Sequence, residues 1–196
     1  SDAAYAPLAF DGRPLSILSR PGAKDCAVEL HSMSKGFNMT GWRLGWVCGH
    51  ADVVKAYATV KDNADSGQFA AIQKASAWAL KHHGTLTPPL CEKYKRRLQR
   101  LADVLRDAGF DAAVPGGSFY LYVECPRASG DGDHFDTAEA FSEWLIRRRQ
   151  ISTVPWDDAG RFVRFSATFV APTAEEERRV LDEVGRRLAR SRFVFQ

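Results

Sequence analysis

The sequence predicts an α/β protein, and three observations point that way. Short apolar runs bounded by turn residues recur along the chain. Between them lie longer segments whose apolar residues return every three or four positions. Two of these segments open with the spacing of a capping box, Asp136 with Glu139 and Thr173 with Glu176. Strands alternating with helices in this way give layered α/β or α+β folds. No internal repeat or low-complexity segment breaks the pattern.

Residues 27–30 form an apolar run that reads as a strand, and residues 44–48 read as another. A helix follows over 52–59. A second is expected from 66 to 84, where Gly84 can take the left-handed cap conformation. Thr87, Pro88 and Pro89 then open a long helix carrying Leu90, Tyr94, Leu98, Leu101, Leu105 and Ala108 on one stripe, closed by Gly109. Beyond it, strands are predicted at 110–114, 118–124 and 163–169, with helices at 136–149 and 173–190.

With 45% hydrophobic residues among 196, the chain can bury a core. Its net charge of +3 comes from 27 basic and 24 acidic side chains spread along the chain, so no basic face for nucleic acid is indicated. Arg147, Arg148 and Arg149 read as a solvated helix face. Cys26, Cys48, Cys91 and Cys125 are far apart, which argues against a zinc site and against a disulfide framework, and fits a reducing cytoplasm. The acidic loop at 128–133 lacks the ligand spacing of a calcium loop, so no metal is expected. No apolar stretch is long enough to cross a bilayer, and the N-terminus lacks the basic and apolar regions of a signal peptide. His82 and His83 read as solvent-facing. Trp42, Trp46, Trp78, Trp144 and Trp156 read as packing residues.

The most informative stretch is Ser32-x-Ser34-Lys35 followed by Gly41-x-Arg43-x-Gly45. Its lysine follows a predicted strand, among hydroxyls and glycines that let backbone approach a ligand. A partly desolvated lysine near another cation has a lowered pKa, and only its neutral amine can form an imine with an aldehyde. Ser32 and Arg43 offer a hydroxyl and a forked cation, a pairing suited to a phosphate. From spacing alone, a glycine-rich strand connection with a surface Lys and Arg competes with this reading.

This stretch resembles the cofactor-lysine signature of the class I/II aminotransferases, which are fold-type I pyridoxal-phosphate enzymes. Asp2-Ala-Ala-Tyr5 is similar to the family's Asp-x-x-Tyr element, and Phe162-Val-Arg164-Phe-Ser166 resembles the strand that carries its carboxylate-binding arginine. The resemblance implies pyridoxal 5'-phosphate as cofactor, held by Asp2, Tyr5, Ser32, Ser34, Lys35 and Arg43. Lys35 would be the catalytic residue. Asp2 would pair with the pyridine nitrogen, Tyr5 with the ring hydroxyl, and Arg164 with the substrate carboxylate. The stretches 60–69, 33–43 and 151–158 look closest to LL-diaminopimelate aminotransferases, which implies transfer from LL-diaminopimelate to 2-oxoglutarate. Residues 63–67 would then lie near the phosphate of a partner subunit, with Ser66 at a helix N-terminus.

The resemblance also implies an architecture. Residues 1–89 would be the C-terminal part of the cofactor-binding large domain, 90–109 an interdomain helix, and 110–196 the small domain. Only Ser1 precedes Asp2, so the strand that presents the aspartate in the family, its phosphate loop and its stacking aromatic are not in the sequence. The expectation is therefore a C-terminal half that is inactive alone and is completed by an N-terminal half and by homodimerisation. Alanine aminotransferases, carbon–sulfur β-lyases and the effector domains of aminotransferase-like transcription regulators share these motifs and stay open as alternatives.

Overall fold

The computed structural model describes residues 1–195, which form two units: 1–93 with 116–118, and 94–115 with the chain from Phe119 onward. In the first unit β1 (Val28–Ser32) and β2 (Gly45–Gly49) pair antiparallel, from Val28 opposite Gly49 to Ser32 opposite Gly45. The glycines that frame β2 are required by close approach. A Cβ at Gly45 would lie 2.6 Å from the His31 carbonyl oxygen, and one at Gly49 2.3 Å from that of Ala27. Residues 1–3 line the other edge of β1, with a parallel bridge between Asp2 and Leu30.

Four helices follow β1 in this order: α1 (Met33–Gly36), α2 (Ala51–Ala64), α3 (Ala70–Lys81) and α4 (His83–Asp107). The second helix starts later than the sequence predicts. Asp65 turns the chain by accepting from the Gly67 amide, and Gly67 has φ +87°, so residues 65–69 stay irregular. Ser66 therefore begins no helix. The break between α3 and α4 falls at His82 instead of Gly84, with its amide and Nδ1 both bonded to the Trp78 carbonyl. Pro88 and Pro89 sit inside α4, not before it. Prolines there leave the carbonyls of Gly84 and Thr85 without amide donors; one turn earlier the Thr85 and Thr87 hydroxyls donate to the carbonyls of His82 and His83.

The second unit is built on an antiparallel sheet in the order β3 (Tyr120–Glu124), β5 (Phe162–Ser166), β4 (Val154–Trp156). Leu121, Val123, Val163 and Phe165 alternate onto its buried face. The short strand β4 escaped the sequence reading because Pro155 stands at its centre; as an edge strand it needs no amide there. The strand expected at 110–114 does not form. Phe110 and Ala112 are buried, which gives the alternating pattern, but Phe110 packs among Phe141, Phe165, Phe193 and Phe195 at 5.1–6.1 Å and the segment joins no sheet.

Helix α5 (Ala138–Trp144) is capped by Thr137, not Asp136, and the Asp157 carboxylate accepts from the amides of Ala138 and Glu139. A π turn, Leu145–Arg149, continues it. Helix α6 (Ala174–Ala189) opens with the predicted box, the Thr173 hydroxyl and Glu176 carboxylate bonding reciprocally. Trp144 is buried, whereas Trp42, Trp78 and Trp156 are exposed and Trp46 is half-buried, so packing accounts for fewer tryptophans than expected. His82 and His83 are exposed, as predicted. All four cysteines are free, and burial pushes the Cys125 thiol up to about 12.

Arg97, 2% exposed, ties this unit together. Its Nε donates to Glu177 at 2.8 Å, and its Nη atoms donate to the carbonyls of Ala167, Phe169 and Ala171 at 2.7–3.0 Å. Arg96 grips the same carboxylate through Nε and Nη2. Burial pushes the Glu177 carboxyl up, but the hydrogen bonds and charge of Arg96 and Arg97 outweigh it, so the net shift is downward.

Replacing Arg97 by Met should cost about 3–5 kcal/mol, because it leaves three buried carbonyls unfilled and the buried Glu177 carboxylate with Arg96 alone; urea unfolding followed by circular dichroism measures it. A carboxyl with a lowered folded pKa stabilises above its unfolded pKa, and that stability is lost as pH falls through the folded value. The thermal midpoint should therefore drop below about pH 4.3, and Glu177→Gln should flatten that acid limb.

Candidate active site

Strand β1 runs directly into the lysine. Ser32 ends it and caps α1, its Oγ accepting from the Ser34 amide at 3.1 Å. Met33, Ser34 and Gly36 turn inward and are buried, which leaves Lys35 half-buried on the outer side of the same short helix. The connection to β2 is closed on itself. The Thr40 hydroxyl donates to the Ser34 carbonyl at 2.9 Å, and Arg43 Nη1 donates to the Thr40 carbonyl at 2.9 Å. Asn38 and Arg43 both have φ +54°. Asparagine tolerates that conformation; arginine rarely adopts it, and such strained residues concentrate at functional sites. The Arg43 side chain is exposed.

Residues 1–8 are brought to α1 by backbone pairing and by one tight contact. The Leu30 amide donates to the Ser1 carbonyl at 2.9 Å, and the Ala3 amide donates to the Leu30 carbonyl at 2.8 Å. Asp2 is exposed, and its Oδ1 accepts from the Ala4 amide at 3.0 Å. The turn Ala6–Leu8 then lies on α1 with Pro7 against Gly36, where a Cβ would come within 2.3 Å of the Pro7 Cβ. The result is that Lys35 Nζ stands 5.7 Å from the centroid of the Tyr5 ring. Two segments thirty residues apart in sequence thus meet at the lysine.

Arg164 lies in the other unit, on β5, opposite Tyr122 of β3 and Val154 of β4. Its guanidinium lies 4.0 Å from the Tyr120 ring centroid and 5.5 Å from that of Trp156, with Nε buried and without a hydrogen-bond partner. The aromatic faces hold the guanidinium plane and cannot satisfy its edge, which is where a carboxylate binds. Sequence reasoning missed Tyr120 and Trp156 in this setting; strand alternation puts Tyr120 on the arginine's face, but the partner strand is known only from the fold.

A cavity of about 810 Å³ in the first unit is lined by Pro7, His31, Phe37, Trp46, His83 and Cys91 among others. Lys35 does not line it. Among the described residues no helix is long and apolar enough to cross a membrane.

Comparison with known proteins decides the family. Residues 1–183 match the model of aminotransferase class I and II. The chain belongs to that family. It is 51% identical over 200 residues to the LL-diaminopimelate aminotransferase of Methanococcus maripaludis, covering all of this chain and 48% of that protein. It is 52% identical over 203 residues to the enzyme of the same name from Methanocaldococcus jannaschii, again covering all of this chain and 48% of the relative. An aminotransferase from Staphylococcus aureus superposes with a TM-score of 0.84 at 28% identity, over all of this chain and 49% of that one. The chain spans about half the length of the curated relatives it matches. The α/β expectation and the class I/II resemblance both hold for this family member.

Gly36→Ala should destabilise the first unit by about 1–3 kcal/mol, since the methyl must displace Pro7. Gly41→Ala, which meets nothing within 4 Å, is the control that should leave the urea midpoint unchanged.

Proposed function

We propose that the chain carries the cofactor lysine and the substrate-carboxylate clamp of a pyridoxal-phosphate-dependent aminotransferase, moving the amino group of LL-diaminopimelate to 2-oxoglutarate. The observation that carries this reading is the meeting of Lys35 with Tyr5 at the end of β1, in a chain half identical throughout to proteins of that name. The same reading divides the chain at 89 and 109 into large-domain part, linking helix and small domain. It also makes the protein a cytoplasmic homodimer whose site is completed by the rest of the polypeptide. The uncovered apolar stripe of Val53, Tyr57 and Val60 on α2 is consistent with burial against such a neighbour.

The donor set suits the cofactor. Asp2 offers an exposed carboxylate for a protonated ring nitrogen, and Tyr5 a phenol for the ring oxygen. Ser32, Ser34 and Arg43 offer hydroxyls and a forked cation for a phosphate. When bound, pyridoxal 5'-phosphate supplies an aldehyde to the lysine and an electron-poor ring that delocalises charge from the substrate α-carbon. Lys35 Nζ would hold the cofactor's aldehyde and, when free, would carry the proton to and from the substrate α-carbon. Asp2 keeps its proton partner in place through charge. Arg164, held flat by Tyr120 and Trp156, fixes the carboxylate through two parallel hydrogen bonds and so fixes the direction of the labile C–H bond.

Purified with its cofactor, the whole gene product should transaminate LL-diaminopimelate with 2-oxoglutarate. Lys35→Ala should lose the visible band of lysine-bound cofactor and more than about 100-fold in rate. Arg164→Leu should raise KM for the amino acid roughly 10- to 100-fold. Wild-type rates in Lys35→Ala, or release of ammonia and a 2-oxo acid without any acceptor, would overturn the assignment.

A further inference from the structure

The hairpin that presents Lys35 carries a second constellation that the reaction does not use. Glu29 and His31 are two residues apart on β1 and therefore share a face, and Cys48 of β2 stands directly opposite Glu29. One donor atom from each lies within 4.8 Å of the others. We propose that Glu29, His31 and Cys48 form a zinc site on the β1–β2 hairpin, independent of the aminotransferase reading.

The donor chemistry selects the ion. One carboxylate oxygen, one imidazole nitrogen and one sulfur suit Zn²⁺, whereas calcium and magnesium take oxygen alone. The surroundings orient two of the three ligands. Glu29 is 3% exposed, with Oε1 accepting from the Ile17 amide at 2.7 Å, so Oε2 is the oxygen turned toward His31 Nε2, 3.2 Å away. The His31 ring is stacked on Trp46, its opposite residue across the ladder, with centroids 5.0 Å apart and planes 6° from parallel. Cys48 is a free, half-buried thiol. Bond lengths of about 2.0–2.3 Å place the donors of a tetrahedral zinc roughly 3.3–3.8 Å apart, so the set must close by about an ångström. Rotation of the half-buried Cys48 side chain toward the Glu29–His31 pair, whose donors already lie 3.2 Å apart, would supply that without moving the strands. On binding, the Cys48 thiol gives its proton to solvent, His31 Nε2 exchanges its Glu29 contact for the ion, and water completes the fourth position.

Occupancy would cross-link both strands of the hairpin whose far ends lead to Lys35 and Arg43, and so resist its fraying. The test uses the purified protein with its cofactor, dialysed against a chelator and titrated with Zn²⁺ in competition with a chromophoric chelator, then with Co²⁺. The expected result is one tightly held equivalent of zinc, a raised thermal midpoint, and a thiolate-to-cobalt charge-transfer band in the near ultraviolet. Cys48→Ser should abolish that band, and both Cys48→Ser and His31→Gln should weaken zinc binding roughly tenfold or more, with folding of each checked by circular dichroism. No stoichiometric zinc in the wild type, or equal zinc retention by Cys48→Ser, would overturn the proposal.

Discussion

The first unit depends on one strand being paired along both edges. Val28–Ser32 takes residues 1–3 on one side and Gly45–Gly49 on the other, so the strand is fixed relative to two segments at once. Its C-terminal end is where Ser32 caps α1 and Lys35 leaves the sheet. Without the ladder, Tyr5 and Arg43 would be joined to the lysine only by flexible chain, and holding them beside it would carry the full entropic cost of ordering. The glycines at 36, 45 and 49 belong to the same device, since each marks a place where backbone or ring lies too close for a Cβ.

The second unit solves a different problem with a buried charge. Arg97 fills three carbonyls where the chain leaves β5 and reaches α6, and Glu177 returns the charge from α6 itself. Loop carbonyls left bare in a core would be costly. A guanidinium is the side chain with enough donors, in a fixed fork, to satisfy several at once. Within β5 itself, Arg164 meets rings instead of carbonyls. Two arginines in one unit are thus treated oppositely: Arg97 is saturated by carbonyls and a carboxylate, while Arg164 keeps a buried Nε without a hydrogen-bond partner.

Much of this was legible in the sequence where the signal is local. The capping box at Thr173, the apolar stripe from Tyr94 to Leu105 and the strands around residues 28–32 and 120–124 all follow from short-range spacing, and all form. The errors came where long-range packing overrode a local sign. Phe110 and Ala112 alternate like a strand because an aromatic cluster buries them, not because a ladder holds them. Pro88 and Pro89 read as a helix start, yet they lie in the second turn of a helix that begins at His83 and runs through them.

By itself the sequence determined the family, most of the helices and strands and the residue types available for chemistry, because motif spacing and periodicity are properties of neighbours along the chain. Only the tertiary structure decided which of them meet. Tyr5 reaches Lys35 through a backbone bridge and a glycine contact, the guanidinium of Arg164 is held by rings from two other strands, and Cys48 faces Glu29 through strand register. Register is set by the cooperative pairing of whole strands, and no single residue's identity encodes it.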